Sequence, residues 1–192
     1  MKRMLLIVDP QNDFITGSLA VPGAKAKMMK LASYNLQQYD FICVTLDSHL
    51  ENHCSFEING GIWPTHCIYR TNGWNIPEYL DNSLINYSKW ACKLISYYNK
   101  GTDASKEEYS IFDNENDGFT LYTQIKELIH QDDLFIDVCG IAGDYCVLET
   151  IKGLRKYIGD NYICVLTEFT ASLDGGARLI NYLDYNNIHY TK

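Results

Sequence analysis

A cysteine near the start of a predicted helix is the first candidate for chemistry. Cys146 ends the segment GIAGDYC, within the first turn of a predicted helix, Asp144–Tyr157. Backbone N–H groups and the helix dipole at such a position favour a thiolate over a thiol, whose ordinary pKa is about 8.5. The N–H groups of Ala142 and Cys146 in the same turn are suited to hold an oxyanion. The segment favours a cysteine nucleophile; the alternative is that Cys146 is a small buried residue without a chemical role.

Two other side chains have the right types to activate such a cysteine. Asp9 follows the apolar run Met4–Val8, and Lys100 follows the run Lys93–Tyr98. A carboxylate can accept the thiol proton, and an ammonium group adds a positive charge beside it. Together with Cys146 they would form a set of nucleophile, base and orienting group. The alternative for Lys100 is a solvated residue at the end of a strand.

A carboxylate and two histidines form a second candidate site. Asp47 and His49 lie two positions apart, so in an extended segment their side chains point to the same side, and His66 follows them. Two imidazoles and one carboxylate with open positions suit zinc, iron or manganese. His53 and Glu57 are near enough in sequence to offer a further ligand. A histidine by itself is more often structural, so the spacing leaves both interpretations open.

Aromatic residues near these positions are candidates for a binding slot. Phe14 lies five positions after Asp9, and Trp63 lies three positions before His66. Such rings suit an apolar slot for a flat ligand, although isolated aromatic residues are more often part of a core. Neither a GxGxxG nor a Walker A pattern is present, which argues against a nucleotide phosphate site.

Near-continuous apolar runs predict the strands that must position these residues. Such runs are typical of strands that are buried on both faces of a parallel sheet. The predicted strands are Met4–Val8, Phe41–Leu46, Lys93–Tyr98, Leu134–Ile141, Tyr162–Leu166 and Ile188–Thr191. Right-handed crossovers bring the carboxyl ends of parallel strands to one edge of the sheet. We therefore expect Asp9, Asp47, Lys100 and Cys146 to converge at that edge.

Amphipathic stretches between the strands predict helices. The predicted helices are Ala24–Gln38, Phe119–His130, Asp144–Tyr157 and Ala177–Asp184. Strands that alternate with helices indicate an α/β fold, with a doubly wound, mostly parallel sheet and helices on both faces. The stretches His49–Ile76 and Lys100–Gly118 are predicted as long irregular loops, which are usually functional when they occur inside a domain. No linker or repeat interrupts the pattern, so residues 1–192 are predicted to form a single domain.

The charge balance and the hydropathy pattern exclude several functional classes. The 192 residues include 16 Lys and Arg against 24 Asp and Glu, which gives a net charge of −8. A phosphate-binding surface needs a basic excess, so we expect no nucleic-acid partner. No apolar run approaches the roughly 20 residues of a membrane helix, and no cleavable signal pattern is present. We expect a soluble, cytoplasmic protein without a membrane partner; no pattern sets its oligomeric state, and a homo-oligomer stays open.

The candidate residues lie within six segments that are spread over most of the chain. The segments are VDPQNDF with GSLAVPGA (8–24), TLDSHLENHCSF (45–56), WPTHC (63–67), KGTDASKEEYSIF (100–112), CGIAGDYCV (139–147) and TEFTAS (167–172). Together and in this order, they resemble the nicotinamidases among the isochorismatase-like cysteine hydrolases. The resemblance implies the isochorismatase-like fold and the hydrolysis of nicotinamide to nicotinic acid and ammonia through a thioester.

The resemblance also implies a catalytic role for individual residues. Cys146 would be the nucleophile, and Asp9 and Lys100 would complete a triad with it. The N–H groups of Ala142 and Cys146 would form the oxyanion hole, beside a cis peptide bond between Ile141 and Ala142. The other six cysteines, Cys92 among them, are then expected to be reduced and structural, in agreement with an odd total of seven and with the absence of a CxxC pair.

The remaining implied roles concern a metal ion and the substrate. Asp47, His49 and His66 would hold one divalent metal ion, with zinc first and iron or manganese also open. The residues implied to contact nicotinamide are Phe14, Trp63, Tyr109 and Ile141. The short segment between His53 and His66 leaves a fourth ligand, either His53 or Glu57, undecided.

Other functions compete with this interpretation. Gly143 stands where nicotinamidases often have threonine, which loosens the assignment within the superfamily. Another amidase of the superfamily, acting on a carbamoyl or ureido compound, would use Cys146, Asp9 and Lys100 equally. A non-catalytic ligand-binding module would need no reactive thiol. A cysteine protease would need a histidine near Cys146, and only His49 is expected at the same edge.

Overall fold

A six-stranded sheet forms the centre of the computed structural model, which describes residues 1–91, 93–131 and 133–191. Its strands are β1 (Lys2–Val8), β2 (Phe41–Asp47), β3 (Ile95–Lys100), β4 (Leu134–Ile141), β5 (Ile163–Ala171) and β6 (His189–Tyr190). The order across the sheet is β3-β2-β1-β4-β5-β6, and every pairing is parallel. This is the strand order of doubly wound α/β proteins, so the predicted fold class is confirmed.

Within the described residues, six α-helices connect the strands and cover both faces of the sheet. They are α1 (Asn12–Ile15), α2 (Ala24–Ala32), α3 (Glu78–Ala91), α4 (Asp117–Gln131), α5 (Leu148–Leu154) and α6 (Ala177–Tyr185). Helices α2 and α3 pack on one face, and α4, α5 and α6 pack on the other. The order of strands reverses direction between β1 and β4. Ligand crevices in open α/β sheets form at such a reversal, outside the carboxyl ends of the strands.

Strand β1 shows why the apolar runs are continuous rather than alternating. Leu5 and Ile7 belong to the core on the side of α2 and α3, whereas Met4, Leu6 and Val8 belong to the core on the opposite face. All five side chains are fully buried. Because both faces are covered by helices, every position along the strand favours an apolar residue.

Helix α3 was not predicted from the sequence. Its buried residues Leu80, Leu84 and Tyr87 recur at helical spacing and pack beneath the sheet. The helix begins just after the stretch His49–Ile76, whose irregular structure the sequence analysis did predict. The helical spacing of these apolar residues was therefore present in the sequence. It was not recognised as a helix because it directly follows the long predicted loop.

Several predicted elements have different ends in the structure. The predicted helix Ala24–Gln38 stops at Ala32, and a separate 3₁₀ turn over Leu36–Gln38 follows. Asn35 is the N-cap of this turn, and its side chain accepts a hydrogen bond from the N–H of Gln37 at 3.2 Å. Strand β3 lies two residues later than predicted, so Lys100 is its last residue and pairs with Asp47.

At the other end of the sheet, β5 continues past the predicted end, Leu166, to Ala171. The final strand is shorter than the predicted Ile188–Thr191 and comprises only His189 and Tyr190. Within residues 1–91, 93–131 and 133–191, no helix is both long enough and apolar enough to cross a membrane. The cysteines at positions 43, 54, 67, 139, 146 and 164 are free thiols, and Cys92 lies outside the described residues.

Candidate active site

The carboxyl ends of four neighbouring strands bring the predicted residues together. Asp9 directly follows β1, and Asp47 and Lys100 are the last residues of β2 and β3. The chain leaves β4 through a cis peptide bond between Ile141 and Ala142, as the resemblance implied, and reaches Cys146 four residues later. The predicted convergence at one sheet edge is confirmed, and it lies where the strand order reverses between β1 and β4.

Lys100 lies at the centre of the first group of side chains. Its Nζ is 2.9 Å from Oδ2 of Asp9 and 3.6 Å from Sγ of Cys146. The other carboxylate oxygen of Asp9 accepts a hydrogen bond of 2.6 Å from the hydroxyl of Thr45. Asp9 has a φ of +47°, a left-handed conformation that non-glycine residues adopt uncommonly and that is enriched at functional sites. The three side chains of the predicted triad are therefore in contact within a buried cluster.

Burial and mutual charge shift the pKa values of this group. Burial raises the pKa of Asp9, and Asp47 raises it further, although Lys100 opposes the shift. Burial alone would lower the pKa of Lys100, but Asp47 and Asp9 hold it well above its ordinary value. Asp47 is also buried, yet Lys100 and His49 hold its pKa well below its ordinary range. Lys100 is thus a permanent cation, and of the two carboxyl groups Asp9 is the one more easily protonated.

The expectation of a stabilised thiolate at Cys146 was wrong. Burial raises the pKa of the thiol well above its ordinary value, and the Asp9 and Asp47 carboxylates add to this rise, while Lys100 opposes it. Cys146 also lies within a single π-helical turn over Gly143–Val147, ahead of α5, rather than in the first turn of a long regular helix. A protonated thiol beside a carboxylate can be deprotonated as it attacks, so the cluster keeps its nucleophilic potential.

The second group consists of Asp47, His49 and His66. Oδ2 of Asp47 lies 3.0 Å from Nε2 of His49 and 3.5 Å from Nε2 of His66. One ligand atom from each of the three buried residues lies within 4.8 Å of the other two. This donor set suits a divalent metal ion.

The tautomers of the two histidines test whether this group fits a metal. Nδ1 of His49 lies 3.0 Å from the carbonyl oxygen of Gly101, and Nδ1 of His66 lies 2.7 Å from that of Pro64. A carbonyl only accepts, so both Nδ1 atoms carry the proton of the neutral ring, and both Nε2 lone pairs face Asp47. Among the described residues, the buried Nε2 of His49 then has no hydrogen-bond partner.

A lone pair facing a carboxylate needs a cation between them. A proton on Nε2 is one such cation: burial lowers the pKa of His49, but Asp47 raises it above its ordinary value. A divalent cation at the same place would satisfy the carboxylate and both imidazoles at once. The residues present therefore fit a metal ion.

His53 and Glu57 were left undecided as further ligands. The ring of His53 packs on that of His49, with centroids 3.8 Å apart, and its Nδ1 lies 2.7 Å from the hydroxyl of Ser55. Burial and the neighbouring His49 lower the pKa of His53 to about 4. Glu57 is exposed in a 3₁₀ turn. Neither residue belongs to the group of three converging ligand atoms.

A narrow cavity connects the thiol of Cys146 to the group formed by Asp47, His49 and His66, which we call the metal-type group. Its lining residues are Phe14, Leu19, Val21, Asp47, Trp63, His66, Glu107, Tyr109, Ala142, Tyr145, Cys146 and Leu173. Cys146 is only 6% exposed, so the cavity is its access route. Of the predicted substrate contacts, Phe14, Trp63 and Tyr109 line the cavity, whereas Ile141 is fully buried and does not.

The aromatic wall of the cavity is held together by direct contacts. Nε1 of Trp63 donates a hydrogen bond of 3.0 Å to the hydroxyl of Tyr109. The ring of Tyr145 packs edge-on against Trp63, with centroids 5.1 Å apart, and lies 5.6 Å from the ring of Tyr109. Phe14 lies at the metal-type end, 5.4 Å from the ring of His66. The wall thus offers flat apolar surfaces between the thiol and the two histidines.

The sequence analysis missed some residues of this site. Tyr145 and Glu107 line the cavity, and each lies within two positions of a residue that was predicted. Gln11 is a buried support: its side chain donates to the carbonyl of Asp47 and accepts from the N–H of Asp47, both at 2.8 Å. The available signal for Gln11 was its place two positions after Asp9 within VDPQNDF, because a polar side chain that is buried beside a site requires hydrogen-bond partners.

Comparisons with known proteins agree with this geometry. No protein-family model matches the chain. The nicotinamidase/pyrazinamidase of Mycobacterium tuberculosis is 32% identical over 157 residues, which cover 78% of this chain and 77% of that protein. Among solved structures, Pyrococcus horikoshii pyrazinamidase in complex with zinc has a TM-score of 0.76 and 25% identity, covering 100% of this chain and 99% of that one.

A second solved structure, PnC1 from L. infantum in complex with nicotinate, has a TM-score of 0.78 and 27% identity. The match covers 100% of this chain and 92% of that chain. The two structural matches cover the whole of this chain, and the M. tuberculosis relative is above 30% identity and is covered over most of its length. The chain belongs to the nicotinamidase/pyrazinamidase family.

Proposed function

We propose that this protein hydrolyses nicotinamide to nicotinic acid and ammonia, within one domain that spans residues 1–192. The observation that carries the proposal is an aromatic cavity whose lining includes both the Cys146 thiol and the pair Asp47 and His66. A flat heteroaromatic amide has two features that match this lining, a carbonyl carbon that can be attacked and a ring nitrogen that can bind a metal. The nicotinamidase relative and the nicotinate complex support this choice of substrate.

Zinc is the metal that we propose for Asp47, His49 and His66. Two neutral imidazoles and one carboxylate with an open position form a common catalytic zinc site, and a pyrazinamidase of similar fold was solved with zinc. When bound, the metal would supply a Lewis-acidic coordination position for the pyridine nitrogen. Iron and manganese accept the same donors, so metal analysis belongs to the test.

The first half of the reaction forms a thioester. Asp9 accepts the thiol proton as Sγ of Cys146 attacks the carboxamide carbon, and the N–H groups of Ala142 and Cys146 stabilise the oxyanion. Asp9 then returns the proton to the leaving nitrogen, and the C–N bond breaks to release ammonia. The raised pKa of Asp9 suits this exchange, because it makes the carboxylate a stronger base toward the thiol than an ordinary aspartate is.

The second half hydrolyses the thioester. Asp9 accepts a proton from a water molecule as its oxygen attacks the thioester carbon, and the C–S bond then breaks. The proton returns to Cys146, which restores the thiol and leaves nicotinic acid. Lys100, held 2.9 Å from Asp9 and 3.6 Å from Sγ, stabilises the negative charge that passes between them.

The aromatic residues are proposed to position the ring of the substrate. Phe14, Trp63 and Tyr109 enclose the cavity, and Tyr145 closes the side between Trp63 and Tyr109. Ile141, predicted as a fourth contact, is proposed to act only through its peptide bond with Ala142, because its side chain is buried away from the cavity.

An ammonia-release assay tests the proposed function. The purified protein, with its zinc, iron and manganese content measured, is given nicotinamide in one arm and N-carbamoyl amino acids in the other. We expect ammonia and nicotinic acid from nicotinamide and no turnover of the carbamoyl compounds. The Cys146→Ala variant should release no ammonia while keeping its circular dichroism spectrum, and Cys164→Ala, a half-buried cysteine outside the cavity, should keep full turnover. Turnover of the carbamoyl compounds alone would assign the other amidase branch.

A further inference from the structure

Glu108 is a buried carboxyl group that the proposed reaction does not use. Its side chain is 3% exposed. Oε2 accepts a hydrogen bond of 2.8 Å from the N–H of Gly101 and one of 2.9 Å from the side-chain amide of Asn114. Oε1 lies 3.1 Å from Nζ of Lys106 at the surface. A carboxyl group with its inner oxygen fully partnered and its outer oxygen on a lysine is built to hold its neighbours in place.

The group that Glu108 holds is itself a partner of His49. The carbonyl oxygen of Gly101 lies 3.0 Å from Nδ1 of His49 and fixes the tautomer that turns Nε2 toward Asp47. Gly101 has a φ of +65°. Because glycine has no side chain, it adopts positive and negative φ values about equally readily, so the residue itself does not fix this conformation. The hydrogen bond from its N–H to Glu108 anchors the peptide unit on one side of this glycine, and thereby restricts where its carbonyl can lie relative to His49.

Glu108 also connects this histidine to a rigid part of the fold. The side-chain oxygen of Asn114 accepts from the N–H groups of Asn116 and Asp117 at 3.1 and 2.9 Å, at the beginning of α4. The amide of the same Asn114 donates to Glu108. A chain of hydrogen bonds therefore connects Gly101 to the first residues of α4, so that the helix and not a free loop fixes its position.

We propose that Glu108 is a positioning residue of the metal site, acting through Gly101 on the orientation of His49. The inference rests on the proposed metal set of Asp47, His49 and His66. Groups that orient a metal-binding histidine from outside typically change metal affinity by about 10- to 100-fold when they are replaced. The effect is expected in zinc affinity itself, before any substrate is present.

Two substitutions separate the reach of the side chain from its charge. Glu108→Gln keeps an oxygen at the distance of Gly101 and removes the charge, whereas Glu108→Asp keeps the charge and withdraws the oxygen by one methylene. Zinc dissociation constants are measured on the full chain by competition with a chromophoric chelator. We expect Glu108→Asp to bind zinc about 10- to 100-fold more weakly and Glu108→Gln to bind it nearly as the wild type does.

The visible absorption of the Co²⁺-loaded protein provides a second readout, because it reports the ligand geometry and not the stability of the fold. Glu108→Asp should change this spectrum, and Glu108→Gln should retain it. Lys106→Met removes the partner of the outer oxygen, together with the hydrogen bond from the same ammonium to the carbonyl of Asp113, and leaves both contacts of the inner oxygen in place. It is the matched control and should match the wild type in both measurements.

The outcomes separate this inference from the proposed function. Equal zinc affinity and equal Co²⁺ spectra in the wild type and Glu108→Asp would overturn the role of Glu108 and leave the proposed function standing. A weaker Glu108→Gln with a normal Glu108→Asp would also overturn it, because charge and not reach would then be responsible. A wild type that binds zinc but does not hydrolyse nicotinamide would contradict the proposed function alone.

Discussion

Nζ of Lys100 lies 3.0 Å from Oδ1 of Asp47, so one lysine joins the nucleophile cluster to the metal-type group. The other oxygen of Asp47 faces His49 and His66, and the other contacts of Lys100 are with Asp9 and Cys146. The two groups are therefore a single electrostatic unit in which Lys100 balances two buried carboxyl groups. We therefore expect a substitution in the nucleophile cluster to affect the metal-type group, and the reverse.

Replacing Lys100 by methionine tests this coupling. The substitution leaves two buried carboxyl groups without their shared cation, so we expect the free energy of unfolding to fall by about 3–5 kcal/mol in a urea titration. Turnover of nicotinamide should fall by at least about 100-fold, because the charge on Asp9 and Sγ is no longer stabilised. Zinc affinity should not fall, since the lost ammonium repels a cation at Asp47.

Lys27→Met provides the matched control for this lysine. Lys27 is partly buried and donates a hydrogen bond of 2.7 Å to the carbonyl of Thr167, away from the cavity. It should lose about 1 kcal/mol of stability and keep full turnover. If Lys100→Met lost zinc and turnover in parallel, Lys100 would be a support of the metal group rather than part of the reaction.

The protonation state of Cys146 gives a second prediction. Burial and Asp9 hold the pKa of the thiol well above its ordinary value, so the thiol is neutral at pH 7. Because the raised pKa leaves little thiolate below it, the rate of alkylation by iodoacetamide should still be rising at pH 9. Asp9→Asn removes a negative neighbour and keeps Lys100, which should lower the pKa of Cys146 and speed its alkylation at pH 7.

Mass spectrometry of the Cys146 peptide measures this rate over a pH series. The shape of the pH profile is compared rather than the absolute rate, since the narrow cavity slows the reagent at every pH. A wild-type rate that levels off below pH 8 would show a stabilised thiolate and would contradict the rise in pKa that burial and Asp9 give to the thiol.

The sequence predicted the site better where a strand ends than where a loop folds back. Asp9, Asp47 and Lys100 follow or end apolar runs, and parallel strands must bring such positions to one edge. The choice of His66 over His53 was not available from spacing, because it depends on how the folded loops place each ring. Nε2 of His66 lies 3.5 Å from Oδ2 of Asp47, whereas Nδ1 of His53 accepts from the N–H of Ser55, so that its ring proton is on Nε2. The raised pKa of Cys146 was also missed, since burial arises only when helices and loops have closed over the strand ends.

Gly101 gives a third prediction, based on space as well as conformation. A Cβ atom at position 101 would lie 2.5 Å from Cε1 of His49 and 2.8 Å from Oδ1 of Asp47. Gly101→Ala should therefore displace both side chains, weaken zinc binding and abolish turnover. Zinc content after dialysis and ammonia release from nicotinamide measure the two effects.

Gly175→Ala separates the collision from the backbone cost. Gly175 has a φ of +75°, close to the +65° of Gly101, but a Cβ atom there would have no other atom within 4 Å. Both variants should lose about 1 kcal/mol of stability from the left-handed conformation. Gly175→Ala should retain zinc and turnover. If Gly175→Ala lost as much zinc and turnover as Gly101→Ala does, the backbone conformation and not the collision at Gly101 would be responsible for the loss.

The hydrogen bond between Trp63 and Tyr109 gives the last prediction. Nε1 of Trp63 donates to the Tyr109 hydroxyl at 3.0 Å, which fixes two walls of the cavity relative to each other. Tyr109→Phe should raise KM for nicotinamide about fivefold, from the loss of about 1 kcal/mol, and change kcat little because neither ring contacts Lys100. Steady-state kinetics measure the two constants, with Tyr157→Phe, a ring outside the cavity, as the control. A fall in kcat at constant KM would mean that the pair positions the reacting thiol instead of the substrate ring.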